Sequence, residues 1–544
     1  MPRSRPASSS CSRTRSRLRF RVRSRAQAVA AACVLVLAPL GSIPTRAGPA
    51  AAPAGDPLAR FHGQRLRWGD CPEERVPAGM RCAALQVPLD YAAPAKGTVP
   101  IALARIPATD GKKRIGSLLL NFGGPGGQGV AGLAADPDLL ADLGERYDLV
   151  AFDPRGVGRS EPVSCGGSQQ TEEGAAVADA EEQLAAVRAV VRRCELASGP
   201  VLPYIGTVHV SRDMDVMRQV LGDRKLNYLG FSYGTRLGAV YAAQFPGKTG
   251  RMVLDGVDTL GEPLAEQALA TARGQQRALD RFLDWCVHRR DCVYGTNTRT
   301  AKEKVDALVA RLDDEPLVGH DGSYVTGQDA AAAIGAALYS PRSWPALADA
   351  LAMAERSRDP VGLLQLGGPA DPPAVQDGGQ EDGPDERRVQ ASPPVPADNG
   401  EAALAAVNCA DDPDRSRENA SPAEIGAELA FRRSEFVKVS RVFGPLQLMT
   451  VLSCYGRPAG TDFIRRIDHP GAPRMLLVGT RGDPATPYEW TEETAARLGS
   501  AVVVDHKGDG HTGYASSACV RGHVDRFLID GRLPPGTRSC PAGE

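Results

Sequence analysis

One stretch of this 544-residue chain decides its fold: Leu226-Asn227-Tyr228-Leu229-Gly230-Phe231-Ser232-Tyr233-Gly234-Thr235. Its first six residues, Leu226–Phe231, form a short apolar run that is typical of a strand buried on both faces. A helical segment, Thr235–Phe245, follows and stops at a proline. The sequence therefore predicts that Ser232 lies in a sharp turn between a buried strand and a helix.

Small residues surround this turn. Gly230 and Gly234 flank Ser232, and Gly238 and Ala242 continue a small face at four-residue steps along the predicted helix. Small side chains let the helix and the strand approach closely, as a nucleophile elbow requires. The Gly-x-Ser-x-Gly pattern is weak alone but strong between a buried strand and a small-faced helix. We therefore predict that Ser232 is a nucleophile.

Further apolar runs with little polar alternation recur along the chain, separated by helical segments. Such runs fit strands that are buried on both faces of a parallel sheet. Alternation of strands and helices predicts an α/β fold, a mostly parallel sheet covered by helices. Together with the elbow at Ser232, it predicts an α/β-hydrolase fold. The runs, after an opening pair at Leu85–Tyr91 and Pro100–Ile106, are Ser117–Phe122, Tyr147–Asp153, Leu226–Phe231, Arg251–Asp255, Arg474–Gly479 and Ala501–Asp505.

The middle of the chain has a different pattern. From about residue 261 to 445 the strand signal fades and alanine-rich helical segments dominate, which predicts a helical lid inserted into the sheet domain. Residues 367–399 within it are rich in Pro, Gly, Asp and Gln, so we expect a disordered loop there. The hydrolase core is expected in two parts, residues 55–260 and 446–540.

The N-terminal region, residues 1–47, has the order of a secretory signal peptide. Arginines without any acid come first, the apolar run Ala26–Leu40 follows, and small residues come next. The apolar run is shorter than the ~20 residues of a membrane span, although an uncleaved anchor is the alternative. We expect a secreted, extracellular protein without stable membrane association, and association with the cell wall stays open.

Cysteine content agrees with export. Ten cysteines remain after the leader, and none has the CxxC spacing of a zinc or redox site. An even number in an oxidising compartment suggests five disulfides, and pairing between neighbours is the simplest arrangement. The pairs would be Cys71–Cys82, Cys165–Cys194, Cys286–Cys292, Cys409–Cys454 and Cys519–Cys540.

The net charge of the chain limits the classes of partner that it can bind. The formal net charge is -1 at pH 7, so the chain offers no field that would gather nucleic acid or anionic lipid. We therefore expect no nucleic-acid partner. Because the chemistry of a serine nucleophile needs a base and an acid but no metal, we also expect no metal and no organic cofactor.

A histidine base should follow the serine, since the chain order in this fold is serine, acid, histidine. His511 lies in the glycine-rich turn Gly508–Gly513, just after the run Ala501–Asp505. A loop beyond a late strand is where a base can reach the serine. His506 is the near competitor, at the strand end beside charged residues, and we expect it on the surface. The sequence thus favours His511.

The acid is predicted to be Asp483. It lies between Gly482 and Pro484, just past a predicted strand, where catalytic groups gather in open α/β sheets. Asp255 and Asp258, after the strand that follows the elbow helix, are the rivals. The role of the acid is to hold the imidazole tautomer and to stabilise the imidazolium.

Two backbone N–H groups are candidates for the oxyanion hole. One is that of Tyr233, next after the serine, and the other is that of Gly124 in the glycine loop Asn121–Gly127. A phosphate-binding loop is the rival interpretation. The glycine loop lacks the lysine and Ser/Thr of a P-loop and the spacing of a dinucleotide fingerprint, so we reject that interpretation.

Taken together, these motifs resemble a known family. The runs Gly123–Gly127, Asp153–Ser160 and Gly230–Gly234 are similar to those of the proline iminopeptidase group of α/β hydrolases. Nearly the whole chain after the leader resembles, more closely, the secreted bacterial tripeptidyl aminopeptidases. That resemblance implies Ser232, Asp483 and His511 as the triad. The further matching motifs are Asp213-Met214-Asp215, Val253-Leu254-Asp255-Gly256, Asn408-Cys409-Ala410-Asp411, Asp483-Pro484-Ala485-Thr486-Pro487 and Gly510-His511.

An exopeptidase must bind the free N-terminal ammonium of its substrate, which carboxylates do best. Glu262 and Glu266 open the helical insertion, and Asp411 lies near its end with Asp412 beside it. Each is a candidate, with a solvated or structural role as the alternative. The insertion would roof the site and limit how much peptide enters.

Three hypotheses for function follow. The leading one is a secreted aminopeptidase that releases short peptides, tripeptides by the resemblance, through an acyl-enzyme on Ser232. The alternative is a secreted esterase or small-amide hydrolase, because a fold does not decide the acyl substrate. A catalytically silent binding protein is disfavoured, since the serine, acid, histidine and glycine loop are all intact.

Overall fold

The structure is a computed structural model that describes residues 56–73, 76–167, 180–368, 394–414, 421–457, 460–462, 464, 467–468 and 471–543. The expected signal peptide, residues 1–47, lies outside the described residues. So do residues 369–393, which are most of the segment expected to be a disordered loop. From Asp56 onward the described residues belong to one compact unit.

Within the described residues, eleven strands form one large sheet and one small hairpin. Nine strands make the sheet, in the order β1-β2-β4-β3-β5-β6-β9-β10-β11, and β7 pairs with β8. β1 and β2 run antiparallel to their neighbours, and all other pairs in the sheet are parallel. The strands are β1 (Arg81–Pro88), β2 (Thr98–Ile106), β3 (Gly116–Asn121), β4 (Tyr147–Phe152), β5 (Leu226–Phe231), β6 (Thr249–Asp255), β7 (Leu317–Val318), β8 (Tyr324–Val325), β9 (Met475–Gly482), β10 (Ala501–Asp509) and β11 (Arg538–Cys540).

Helices lie between the strands and form most of the segment between β6 and β9. Those of the described residues are α1 (Ala59–His62), α2 (Gly129–Ala135), α3 (Ala141–Gly144), α4 (Ala180–Ser198), α5 (Thr207–Val220), α6 (Tyr233–Gln244), α7 (Leu264–Val287), α8 (Thr298–Asp314), α9 (Gly327–Ala337), α10 (Trp344–Arg356), α11 (Val361–Gly367), α12 (Asn399–Asp411), α13 (Pro422–Val439), α14 (Phe443–Leu452), α15 (Tyr488–Leu498) and α16 (Ala518–Asp530).

Helices cover both faces of the sheet, as the unbroken apolar runs predict. Every residue of β3 and β4 is buried. Successive side chains point to opposite faces, and they belong to different hydrophobic clusters: Leu119 packs in one, whereas Leu118 and Leu120 pack in the other. Both faces of the sheet are thus buried under helices, and the predicted α/β-hydrolase architecture is confirmed.

The segment between β6 and β9 has a hydrophobic core of its own. Phe282 and Trp344 pack edge to face with ring centroids 6.0 Å apart, inside a cluster formed by residues of α7 to α11 and of α14. The last helix of the segment, α14, ends at Leu452, beyond the boundary expected near residue 445. Within the described helices, none is long and apolar enough to cross a membrane.

Two of the motifs that carry the family resemblance, Asp153–Ser160 and Asp213-Met214-Asp215, meet in a buried ion pair. Arg155 donates to both carboxylate oxygens of Asp213 at 2.6 and 2.8 Å, and both side chains are buried. Tyr91 donates a further hydrogen bond to Asp213 at 2.8 Å. Arg155 belongs to the loop after β4, and Asp213 belongs to α5. The ion pair between these two motifs therefore holds the loop after β4 against α5.

Five disulfides occur among the described residues, each between cysteines that follow one another in the sequence, so the predicted pairing is confirmed. Two strands run further than predicted, β9 to Gly482 and β10 to Asp509, because their backbones pair up to that point. The short strand β11 and the β7–β8 hairpin were not predicted, since two or three residues carry too little pattern to be recognised.

Candidate active site

Ser232 occupies the predicted elbow between β5 and α6. Its backbone has φ 54° and ψ -126°, a region that costs a non-glycine residue about 1–3 kcal/mol. Hydrogen bonds hold it there: the Ser232 N–H donates to Asp255 O at 2.9 Å, and Ser232 O accepts from the Thr235 N–H at 2.8 Å and hydroxyl at 2.6 Å. The strain is therefore local and is balanced by contacts with β6 and α6.

The glycines around Ser232 are required by close approach. A Cβ on Gly230 would lie 2.5 Å from Gly234 O, and one on Gly234 would lie 2.7 Å from Asn121 Oδ1. A Cβ on Gly238 would lie 2.6 Å from the Leu254 side chain. These distances are shorter than real Cβ contacts, so the small face of α6 is what allows the helix to lie against β5 and β6.

His511 and Asp483 form a close pair at the ends of β10 and β9. His511 Nδ1 lies 2.9 Å from each carboxylate oxygen of Asp483. The Asp483 carboxylate also accepts from the N–H groups of Ala485 and Thr486, at 2.9 and 2.8 Å, and from the Thr486 hydroxyl at 3.0 Å. The N–H of Thr512 donates to it at 3.2 Å. Asp483 is thus held rigidly, and it fixes the imidazole through Nδ1.

The histidine lies beside the elbow. Its Cε1 is 3.3 Å from the place that a Cβ on Gly256 would occupy, and Gly256 directly follows Asp255, whose carbonyl binds the Ser232 N–H. Strands β5, β6, β9 and β10 are consecutive neighbours, so Ser232, Gly256, Asp483 and His511 all follow carboxyl ends at one edge of the sheet. The structure therefore pairs Asp483 with His511 at the edge of the sheet where Ser232 also lies.

Burial and charge act in opposite directions on His511. Burial lowers the pKa of the imidazole, but the charge of Asp483 and its hydrogen bond raise the pKa more, and Asp255 and Asp258 add to that effect. The net result is a pKa above the usual value for histidine. The surroundings therefore favour the imidazolium, the form that a base takes when it has accepted a proton.

The rival acids have other partners. The Asp255 carboxylate accepts from the N–H groups of Gly513 and Tyr514, at 2.9 and 2.8 Å, and so anchors the chain just after His511. Asp258 forms an ion pair with Arg236 at 3.0 Å. Neither hydrogen-bonds to the imidazole among the described residues, where Asp483 takes that position.

His506 was expected on the surface, and that expectation is wrong. Its exposed fraction is 3%, because β10 continues through it and its side chain points inward with Val502 and Val504. Its Nδ1 lies 3.2 Å from the Thr480 hydroxyl, and burial lowers its pKa. His506 is therefore a core residue of the sheet.

The glycine loop after β3 lies directly over the elbow. A Cβ on Gly123 would be 2.8 Å from Ser232 Cβ, so only glycine permits this contact. The Gly123 N–H donates to Asn121 Oδ1 at 3.0 Å, and the Gly127 N–H donates to Gly123 O at 3.3 Å, which curls the loop. Tyr233 is the first residue of α6, and the first N–H groups of a helix have no partner within it. The geometry thus places Tyr233 and the glycine loop next to Ser232.

The helical insertion touches the loops that carry the acid and the histidine. Thr271 of α7 donates to Ala485 O at 3.4 Å, and a Cβ on Gly274 would lie 3.1 Å from Pro484 O. On the other side, Tyr339 O accepts the His511 N–H at 2.8 Å. Sequence reasoning missed Thr486 and Tyr339. The position of Thr486, three residues after an Asp, was a usable turn signal, whereas Tyr339 had none.

The candidates for ammonium binding occupy different surroundings. Glu262 forms an ion pair with Arg497 at 2.8 Å, and Asp411 is buried, accepting from the Thr207 N–H at 2.8 Å and lying 3.7 Å from Arg236. Burial raises the pKa of Asp411. Glu266, in the first turn of α7, is exposed. Two of the three carboxylates thus have an arginine partner, and the third is open to solvent.

Metal-ligand geometry occurs at two places among the described residues. One group is Cys519, His523 and Cys540, and the other is Cys71, Glu73 and Cys82. Both contain a disulfide, Cys519–Cys540 or Cys71–Cys82, so their sulfur atoms are not thiolates. Neither group has the donors of a zinc site.

Comparison with known proteins agrees with the geometry. Residues 116–349 match the model of the alpha/beta hydrolase fold, and residues 440–540 match that of the TAP-like proteins. The chain is 33% identical to the serine protease Hip1 of Mycobacterium tuberculosis over 509 residues, 88% of this chain and 91% of that protein. It is 29% identical to the tripeptidyl aminopeptidase of Streptomyces lividans over 506 residues, 87% and 86% of the two chains. It is also 32% identical to carboxylesterase B of Mycobacterium tuberculosis over 533 residues, 92% and 96% of the two.

Proposed function

This chain belongs to the tripeptidyl aminopeptidase family of α/β hydrolases and is a serine hydrolase, and on that premise we propose that it is a secreted serine exopeptidase. It releases short peptides, tripeptides in the simplest case, from free N-termini. The observation that carries the proposal is the His511–Asp483 pair beside the strained elbow of Ser232.

Acylation begins when His511 Nε2 removes the proton of Ser232 Oγ, which then attacks the scissile carbonyl carbon. His511 Nδ1 is held by Asp483, so Nε2 is the nitrogen left for the serine. Substrate binding brings this nitrogen within hydrogen-bond reach of Oγ. The new C–O bond turns the carbonyl oxygen into an oxyanion, which the N–H groups of Tyr233 and Gly124 stabilise.

Collapse of the tetrahedral intermediate breaks the C–N bond. The imidazolium of His511 gives its proton to the leaving nitrogen, and the shortened peptide departs with a new N-terminus. Asp483 stabilises the imidazolium while it exists and does not take its proton. Water then attacks the Ser232 ester with His511 as base, the released fragment leaves as a carboxylic acid, and Ser232 recovers its proton.

Recognition of the free amine is assigned to carboxylates of the insertion, Glu262, Glu266 and Asp411. An ammonium ion is favoured near negative charge that is not already neutralised. Glu262 and Asp411 each have an arginine partner, whereas Glu266 has none among the described residues. Glu266 is therefore the member of the set whose carboxylate is available to a substrate.

Export is part of the proposal. The leader-like order of residues 1–47 and five disulfides fit folding in an oxidising compartment outside the cytoplasm. The N-terminal residue of protein recovered from the culture medium tests this directly. Recovery of the full-length chain from the cytoplasm, with its twelve cysteines reduced, would contradict export.

The second candidate is an esterase on the same fold, because a carboxylesterase is also similar to this chain over nearly its whole length. The two functions separate with one tripeptide offered as a free-amine arylamide, as its N-acetylated form, and beside a simple aryl ester. The exopeptidase requires rapid cleavage of the free-amine arylamide alone. Equal cleavage of the acetylated form overturns the exopeptidase, and full activity of Ser232→Ala overturns the mechanism.

A further inference from the structure

Tyr339 links the helical insertion to the histidine loop. It follows α9, and its backbone carbonyl accepts the His511 N–H at 2.8 Å. Its ring packs against the imidazole of His511 with centroids 4.9 Å apart and an interplanar angle of 69°, an edge-to-face contact. One residue of the insertion thus contacts both the backbone and the ring of the proposed base.

The histidine loop is built for this contact. A Cβ on Gly510 would lie 2.7 Å from Tyr339 O and 3.0 Å from Pro341 Cδ, and Gly510 has φ +95°. Only glycine satisfies both conditions. Two features therefore allow Tyr339 to lie close to His511: its position just after α9, and the lack of a side chain at Gly510.

The Tyr339 side chain is partly open to solvent beside His511. The residue is 45% exposed, while the preceding Ala337 and Leu338 are buried. The ring therefore packs on the imidazole of His511 while part of the residue stays accessible to solvent, and so to a substrate.

The chemistry of the proposed reaction says which part of the substrate lies there. His511 delivers a proton to the leaving nitrogen, so the leaving group must lie beside the imidazole. The aromatic ring that contacts the imidazole and is partly open to solvent then borders the leaving group. We propose that Tyr339 forms the wall of the subsite for the residue after the scissile bond, and that this subsite prefers an apolar or aromatic side chain. This inference rests on the proposed function of Ser232 and His511.

A merely positioning role for Tyr339 makes a different prediction. The leaving group has departed before deacylation, so a residue that contacts only the leaving group affects acylation alone. A residue that acts by holding His511 affects both steps, because the same base serves in each. Acylation and deacylation therefore distinguish a specificity residue from a positioning residue.

The experiment uses two peptide amides with the same free-amine tripeptide and either phenylalanine amide or glycine amide as the leaving group. For Tyr339→Ala we expect kcat/KM on the phenylalanine substrate to fall about tenfold, through loss of an aromatic contact and its buried area. The glycine substrate and the single-turnover rate of deacylation report only the lost ring contact with His511, so both should fall clearly less than the phenylalanine substrate does. Tyr339→Phe keeps the ring and should behave as the wild type on all three measures.

Equal losses on both substrates, or a parallel fall in deacylation, overturn the proposal. Thermal unfolding of each variant checks its integrity. The wild-type protein gives an independent test, because a lack of preference for phenylalanine over glycine also overturns the proposal without any variant. Failure of the proposed function looks different: there the wild type forms no acyl-enzyme on Ser232 with either substrate.

Discussion

The Asp255 carboxylate accepts a 2.9 Å hydrogen bond from the backbone N–H of Gly513. The same residue holds Ser232 through its carbonyl, which accepts the Ser232 N–H at 2.9 Å. Asp255, the last residue of β6, therefore binds the elbow through its backbone carbonyl and the loop of His511 through its carboxylate. Asp255 thus holds the elbow and the His511 loop in a fixed relation, although among the described residues it forms no hydrogen bond with the imidazole.

Replacement of Asp255 by asparagine is expected to lower kcat by at least about tenfold. Asparagine directs an NH2 group or a weaker acceptor at the N–H groups of Gly513 and Tyr514, so one buried donor loses its partner at a cost of about 1–3 kcal/mol. Steady-state kinetics and urea unfolding measure both effects. Asp530→Asn, at the exposed end of α16, is the matched control and should leave both unchanged.

Asp255 also predicts a dependence of stability on pH. Burial raises its pKa to about 6, above the value of about 3.9 for an aspartate in an unfolded chain. Between these values the folded state binds more protons than the unfolded state, so the free energy of unfolding contributed by this group falls as pH rises from about 4 to about 6. Asp255→Asn should therefore flatten the decline in that window. Urea unfolding at several pH values tests it, and an unchanged slope would contradict the assignment.

The acidic limb of the pH–rate profile should report the pKa of His511. Its pKa is raised, since the charge of Asp483 outweighs burial, and the base works only when neutral. The limb of kcat/KM should therefore lie above the ordinary histidine value of about 6.5. Asp483→Asn removes the charge and should lower kcat by about 10⁴-fold, as expected for loss of the acid of a triad. A limb below 6.5 in the wild type, or an active Asp483→Asn, would be incompatible with this role.

Local pattern and sheet topology explain how much of the site the sequence predicts. The elbow is recognisable because Leu226–Phe231, Ser232 and the glycines beside it are adjacent in the chain. Asp483 and His511 follow because each comes just after a strand, and parallel strands end at one edge. Tyr339 and the burial of His506 escaped prediction, because they depend on which helix or strand lies opposite, and no residue nearby in sequence reports that.

Gly234→Ala tests the close packing of the elbow. The new Cβ would lie 2.7 Å from Asn121 Oδ1 and 2.8 Å from Asn121 O, so β3 or α6 must shift. Overpacking of this kind costs about 1–3 kcal/mol, and the same shift moves the glycine loop away from Ser232. We expect lower stability together with a loss of activity. The control is Gly247→Ala, where no atom lies within 4 Å of the new Cβ and stability should hold.

The two disulfides Cys409–Cys454 and Cys286–Cys292 should differ in their effect on stability. They close segments with sequence separations of 45 and 6 residues. The loss of chain entropy in the unfolded state grows with the length of the closed segment, which gives about 4 kcal/mol for the longer and about 2 kcal/mol for the shorter. Double serine variants of each pair, compared by urea unfolding, measure the difference. The Cys409–Cys454 variant should lose about 2 kcal/mol more, since this bond fixes the end of α12 to the chain after α14, and equal losses would show that chain entropy does not decide the outcome.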